Sequence, residues 1–160
     1  MAKTIAHGTA RTTTRTPVQQ AAYISGAVFL IVGILGFIPG ITTNYSAMEF
    51  SGHESGAMLL GIFQVSVLHN IVHLLFGAAG IALSKTVPNA RKFLLAGGII
   101  YLVLWLYGLL VDPMSGANFV PVNSAANWLH LLLGAGLIAM SFLSRDHRVP
   151  VNRDRGTTER

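Results

Sequence analysis

The chain has 160 residues, 52% of them hydrophobic and 11% charged, with a formal net charge of +5 and a mean hydropathy of +0.57. A soluble domain solvates its surface with roughly 25% charged residues, so this composition excludes an ordinary water-soluble globule and makes lipid the expected solvent. The absence of cysteine excludes disulfides, zinc–thiolate and iron–sulfur sites and thiol chemistry.

In chain order, residues 1–17 read as a basic, Thr-rich tail without apolar periodicity, expected to be disordered. Four apolar stretches follow, at Val18–Ile38, Ala57–Ser84, Lys92–Val111 and Ala125–Ser144. A helix crosses about 30 Å of hydrocarbon with about 20 residues, and each stretch is long enough. The second exceeds the requirement, so its first turns, Ala57–Gly61, are expected to tilt or emerge. The first is longer than a signal-peptide core and precedes no A-x-A site. No stretch alternates with a period of two, which excludes a barrel. Residues 145–160 form a second basic, disordered tail. The expected fold is an all-α membrane protein, a four-transmembrane-helix bundle over residues 18–144.

The cations fix an expected orientation. Lys3, Arg11 and Arg15 lie in the first tail, Lys85, Arg91 and Lys92 between the second and third stretches, and Arg145, Arg148, Arg153, Arg155 and Arg160 in the last tail. The other two connections carry Glu49, Glu54 and Asp112 and no Lys or Arg. The positive-inside rule then puts both termini in the cytoplasm of a multi-pass protein of the plasma (bacterial inner) membrane. Topology accounts for the basic balance, and no nucleic-acid partner is expected. Trp105, Tyr107 and Trp128 lie toward the outer ends of their helices, as an aromatic belt requires. The tails can also attract anionic lipid, at about 1 kcal/mol per cation near the surface.

The second and fourth stretches align without a gap: Asn70-Ile-Val-His73-Leu-Leu-Phe-Gly77 with Asn127-Trp-Leu-His130-Leu-Leu-Leu-Gly134, continuing through Ile81/Ile138 and Ser84/Ser141. The stretches before them agree loosely, from Gly26 to Pro39 and from Gly98 to Pro113. Two parallel-repeated helix hairpins are therefore expected, related by a pseudo-twofold axis along the membrane normal. Helical periodicity puts Ser66, His69, Asn70, His73, Gly77 and Ser84 near one face, and Asn127, His130, Gly134 and Ser141 near another. Polar side chains in lipid turn inward, so His73 and His130 are expected to face each other between helices 2 and 4. Gly77, Gly80 and Gly134 are the expected close-packing positions.

Three readings of this Asn/His constellation stay open. The residues can be inter-helix hydrogen-bonding glue, or a cofactor site, with His73 and His130 as ligands of haem b and His69 as an alternate. They can also form a small-molecule, proton or quinone-type site. Glu49, His53 and Glu54 are weak candidates for a metal site in the outer loop. Gly36–Gly40 matches GxxxG but reads as a helix stop. No phosphate loop, nucleophile elbow or intramembrane carboxylate pair appears, so no enzyme is expected, and without a Lys inside a span neither is a retinal pigment.

At His69-Asn-Ile-Val-His73-Leu-Leu-Phe-Gly77 and Asn127-Trp-Leu-His130-Leu-Leu-Leu-Gly134 the chain resembles a bacterial, mainly actinobacterial, family of four-helix membrane proteins catalogued as a domain of unknown function. The resemblance covers residues 18–144. It implies four helices in one bundle and no particular activity. An acidic residue often precedes the second Asn in that family, where this chain has Ala126. The function expected is that of a binding or accessory membrane module in the lipid bilayer, as a homo-oligomer or within a larger membrane complex. A haem-binding or redox protein and an oligomeric small-solute transporter are the alternatives.

Overall fold

The computed structural model describes residues 15–143. The two expected tails lie outside them, apart from Arg15–Pro17. The described chain is mostly helical, with α1 at Pro17–Leu35, α2 at Val67–Leu83, α3 at Val87–Leu110 and α4 at Ser124–Ser141. Three of these, α1, α3 and α4, are long and apolar enough to cross a membrane, while α2 is apolar but has 17 residues.

Helix α1 starts where local chemistry starts it. The Thr16 side chain accepts from the Gln19 N–H and the Gln19 carboxamide oxygen accepts from the Thr16 N–H, with Pro17 at the first helical position. This capping box satisfies two donors that the first turn leaves without partners. Gln19 also donates to the Lys85 carbonyl at 2.8 Å, which ties this end of α1 to the short α2–α3 connection. Helix α3 begins at Val87, five residues before the expected Lys92, because Pro88 suits a first turn.

The largest departure from expectation is in residues 57–66, which are not helical. Thr42–Thr43 (β1), Met58–Leu59 (β2) and Phe63–Gln64 (β3) form a small antiparallel sheet in the order β1-β2-β3. Leu60 and Gly61 turn between β2 and β3 with φ of 55° and 71°, values that an α-helix forbids. Ser66, expected on the helix face, is the N-cap of α2 and accepts from the His69 N–H at 3.2 Å. The apolar residues that lengthen the second stretch have another use. Ala57, Leu59 and Val65 are buried against Val32, Leu35, Ile41, Met48 and Phe63 as a small core of their own.

This segment and the α3–α4 connection fold over the same end of the helices. The Gly52 N–H donates to the Phe119 carbonyl at 2.8 Å, and Asn123 donates to the Ile62 carbonyl at 2.7 Å. The first N–H groups of α2 also find partners here: Val67 donates to Glu49 and Leu68 to Phe50, at 3.1 and 2.9 Å.

Helix α1 packs along α2 and α3 along α4, and the two pairs join mainly through α1 against α3 and α2 against α3. Small residues permit the tight pairing. A Cβ on Gly26 would come 2.8 Å from the Gly77 carbonyl oxygen, and one on Gly98 would come 2.8 Å from that of Gly134. Further along the same pairs, a Cβ on Gly36 would overlap the Asn70 carboxamide, and one on Gly108 that of Asn127. Near the other end, Ser84 donates to the Ile81 carbonyl and Ser141 to that of Ile138, at 2.7 and 2.6 Å. The buried core between the pairs includes Ala22, Phe29, Phe93, Leu94, Tyr101 and Leu137.

Gly36→Ala and Gly108→Ala should each destabilise by about 1–3 kcal/mol, the usual cost of overpacking. Gly136→Ala, whose Cβ would meet open space, should be close to neutral. Thermal unfolding of the three variants in detergent checks the contrast, and an equal effect at all three positions would refute the packing argument.

Candidate functional site

Below the capped end, His69 and His73 of α2, Tyr101 of α3, His130 of α4 and Phe29 of α1 come together. The His69 and His73 rings lie 4.2 Å apart between centroids. Tyr101 stacks on Phe29 at 5.6 Å and approaches the His130 ring at 5.3 Å. Phe29 also meets His73 edge-on at 5.8 Å. Tyr101 thus touches both histidines that the sequence pairs with each other.

The hydrogen bonds assign the tautomers. His73 Nδ1 lies 3.0 Å from the His69 carbonyl, which can only accept, so that nitrogen carries the proton. In the neutral ring Nε2 is then an acceptor, and the Tyr101 hydroxyl donates to it at 3.4 Å. His69 Nδ1 donates to Asn70 Oδ1 at 3.4 Å, which leaves His69 Nε2 as a bare acceptor. Among the described residues the His130 side chain has no hydrogen-bond partner: it is 6% exposed, and its Nδ1 is fully enclosed.

The two asparagines are not part of one site. Asn70 is 1% exposed, packs over Gly36 and directs its amide at Met48 Sδ, 3.9 Å away. Asn127 packs over Gly108, and its Oδ1 has no hydrogen-bond partner. Each therefore belongs to its own helix pair, whereas the histidines turn toward the centre. Gly77, Gly80 and Gly134 lie at helix contacts, Gly77 against Leu30, Gly80 against the Phe93 ring and Gly134 against Leu102. Glu49 and Glu54 are exposed and His53 is half-buried. Among the described residues no group of three or more His, Cys, Asp or Glu side chains is disposed to hold a metal ion. What this loop supplies is scaffolding: the Glu49 N–H donates to Ser55 Oγ and the His53 carbonyl accepts from Gln64.

A cavity of about 270 Å³ adjoins the cluster, with His69, His73, Tyr101, His130 and Ser66 as its polar lining and Phe76, Phe119 and Pro121 among its apolar walls. A smaller cavity of about 130 Å³ shares the three histidines and Tyr101. The rim of the larger one includes Val72 and Ile100, each 50% exposed on the helix surface. A roomier groove of about 510 Å³ runs between α1 and α4, but Gln20 and Ser25 are its only polar side chains. It offers chain-filling space and little recognition.

A family described as a domain of unknown function, DUF4383, matches residues 19–143. The chain belongs to that family. The match takes in all four helices of this DUF4383 protein and every residue of the cluster. No curated protein and no solved structure matches the chain.

Tyr101, Phe29 and Phe76 are the site residues that sequence reasoning passes over. A signal for Tyr101 exists: aligning Gly26 with Gly98 sets Tyr101 at the position of Phe29, the same distance along its helix. Tyr101→Phe should remove the donor to His73 Nε2 and cost about 0.5–1.5 kcal/mol. Thermal unfolding measures the loss, and ¹⁵N spectra of labelled histidine should show the Nε2 signal of His73 moving. An unchanged His73 signal would show that the hydrogen bond is not made.

Proposed function

We propose that this DUF4383 protein is a small-molecule-binding module of the membrane, its site being the 270 Å³ cavity under the cap. The observation that carries the reading is the lining: flat apolar walls with a few convergent polar groups are what small-molecule sites are made of. Half-exposed Val72 and Ile100 at the rim make the hydrocarbon layer the route of entry, so the ligand is lipid-soluble. Histidines serving only as glue would have their hydrogen-bonding capacity used up inside the protein, and among the described residues His69 Nε2 has no partner.

The reading includes a topology. All four helices cross the bilayer in one bundle of two hairpins, duplicated in parallel, with the termini and the α2–α3 connection on the cytoplasmic side of the plasma membrane. Helix α2, at 17 residues, sits at the lower limit of about 17–25 for a spanning helix. Support for the duplication comes from the matched contacts of Gly26/Gly77 with Gly98/Gly134 and of Gly36/Asn70 with Gly108/Asn127. Support for the orientation comes from the cations.

A chain without cysteine makes single-cysteine labelling clean. Ser46→Cys, in the cap, should react with an impermeant maleimide on intact cells, and Asn89→Cys, at the start of α3, only after permeabilisation. Labelling of both from one side would mean that α2 does not cross. For the binding reading, protein extracted into nanodiscs from its native membrane should carry a lipid-soluble small molecule that mass spectrometry identifies. Val72→Trp, which fills the rim of the cavity from its exposed side, should lose that molecule while keeping its thermal stability. Identical extracts from wild type and variant would sink the proposal.

A further inference from the structure

The hydrogen-bonding capacity left unused around the cavity specifies the chemistry of a ligand more narrowly than its shape does. His73 is spent, with Nδ1–H on the His69 carbonyl and Nε2 on the Tyr101 hydroxyl. His69 has committed its N–H to Asn70, so its Nε2 has only a lone pair to offer. Among the described residues this nitrogen has no hydrogen-bond partner, yet it is absent from the enclosed, unpartnered buried atoms, so it opens onto the cavities that the ring lines. His130 lines the same two cavities, and its ring nitrogens have no hydrogen-bond partner among the described residues, each nitrogen of a neutral imidazole being either a donor or an acceptor. The Nδ1 of His130 is enclosed and out of a ligand's reach, which leaves its Nε2 as the nitrogen that can meet one.

Resting on the binding reading above, we infer that the ligand is a lipid-soluble aromatic ring bearing a free hydroxyl, a phenol or hydroquinone. Its O–H donates to His69 Nε2, and in a hydroquinone the second oxygen exchanges a hydrogen bond with His130 Nε2. Three features fit this class together. The acceptor-only face of His69 selects a donor, which a fully substituted ether or an alkane lacks. The Phe76 and Tyr101 rings and Pro121 give a planar head flat surfaces to pack on. The rim at Val72 and Ile100 lets a hydrocarbon tail leave into lipid. No cationic side chain lines the cavity, so an anionic headgroup finds no counter-charge there.

The test compares decyl-1,4-hydroquinone with its dimethyl ether, which has the same ring and tail but no O–H, by native mass spectrometry of the full chain in nanodiscs. The hydroquinone should bind at least about tenfold more tightly, the effect of one well-made hydrogen bond to a buried group. His69→Phe should bring the two affinities together, and His69→Gln, which restores an acceptor oxygen, should recover part of the difference. In the wild-type protein, hydroquinone but not ether should move the ¹⁵N signal of His69 Nε2, a readout that needs no variant to fold. Equal affinities in the wild type, both abolished by Val72→Trp, would overturn the hydroxyl preference and leave the cavity as a binding site. Binding of neither probe, or binding that Val72→Trp leaves untouched, would overturn the cavity reading as well.

Discussion

Backbone lies against backbone at Gly26 and Gly77, and again at Gly98 and Gly134, and the spacing set there governs the rest of the molecule. Helices that approach this closely gain dispersion contacts along their whole length, which matters in lipid, where burying apolar surface from water no longer drives association. The close approach also leaves little room between the partners of each pair. The larger side chains of α1 and α3 therefore gather where the two pairs meet, and Phe29 and Tyr101 stack there. The histidines of α2 and α4 are brought to that stack from either side. A side chain at any of the four glycines would push a pair apart and undo the arrangement a turn away.

The cap answers a second demand of the same environment. A helix leaves its first N–H groups unpaired, and near hydrocarbon each must find a partner inside the protein. Ser66 takes the His69 N–H, and the carbonyls of Glu49 and Phe50 take those of Val67 and Leu68. The small sheet of residues 42–64 holds those carbonyls in position, with its own apolar side chains packed beneath it. His69 therefore sits on a first turn anchored at both ends of its hydrogen bonding. A loop that looks like a spacer is what keeps the candidate site in register.

Much of this was legible in the sequence, and the parts that were not have definite reasons. Length and hydropathy mark the helices, and the matched Asn-x-x-His and Gly positions mark the residues that recur in matched contacts of the two pairs. The start of α2 was hidden because Ala57, Met58, Leu59, Phe63 and Val65 are as apolar as a span. Hydropathy cannot distinguish lipid-facing residues from a small core under a cap, and only Gly61 hinted at a break. His73 and His130 are expected to face each other between helices 2 and 4, and in the structure Tyr101 of α3 lies against both. Periodicity ranks polar residues by face and says nothing of an aromatic on a third helix, so Tyr101 was read as part of the apolar run. The asparagines were grouped with the histidines because they share a face. One turn of separation sends them instead to the glycines of their own partner helices, Gly36 and Gly108.

The differences between the two halves say more about function than the likeness does. Where α1 has Phe29, α3 has Tyr101, and where α2 has His69, α4 has Ala126. The tyrosine gives His73 a hydrogen bond that Phe29 cannot give His130, and the bond of His73 to the backbone carbonyl four residues before it is not repeated at His130, although Ala126 has the same carbonyl. Every buried polar atom left without a partner among the described residues, Trp105 Nε1, Asn127 Oδ1 and His130 Nδ1, belongs to α3 or α4. The first half thus places its enclosed polar atoms on partners, with His69 Nε2 open toward the cavities, while the second leaves three enclosed atoms without any. Of these three residues only His130 lines the cavities under the cap, and its Nδ1 is enclosed, so the three atoms mark where the second half packs its polar groups less completely than the first.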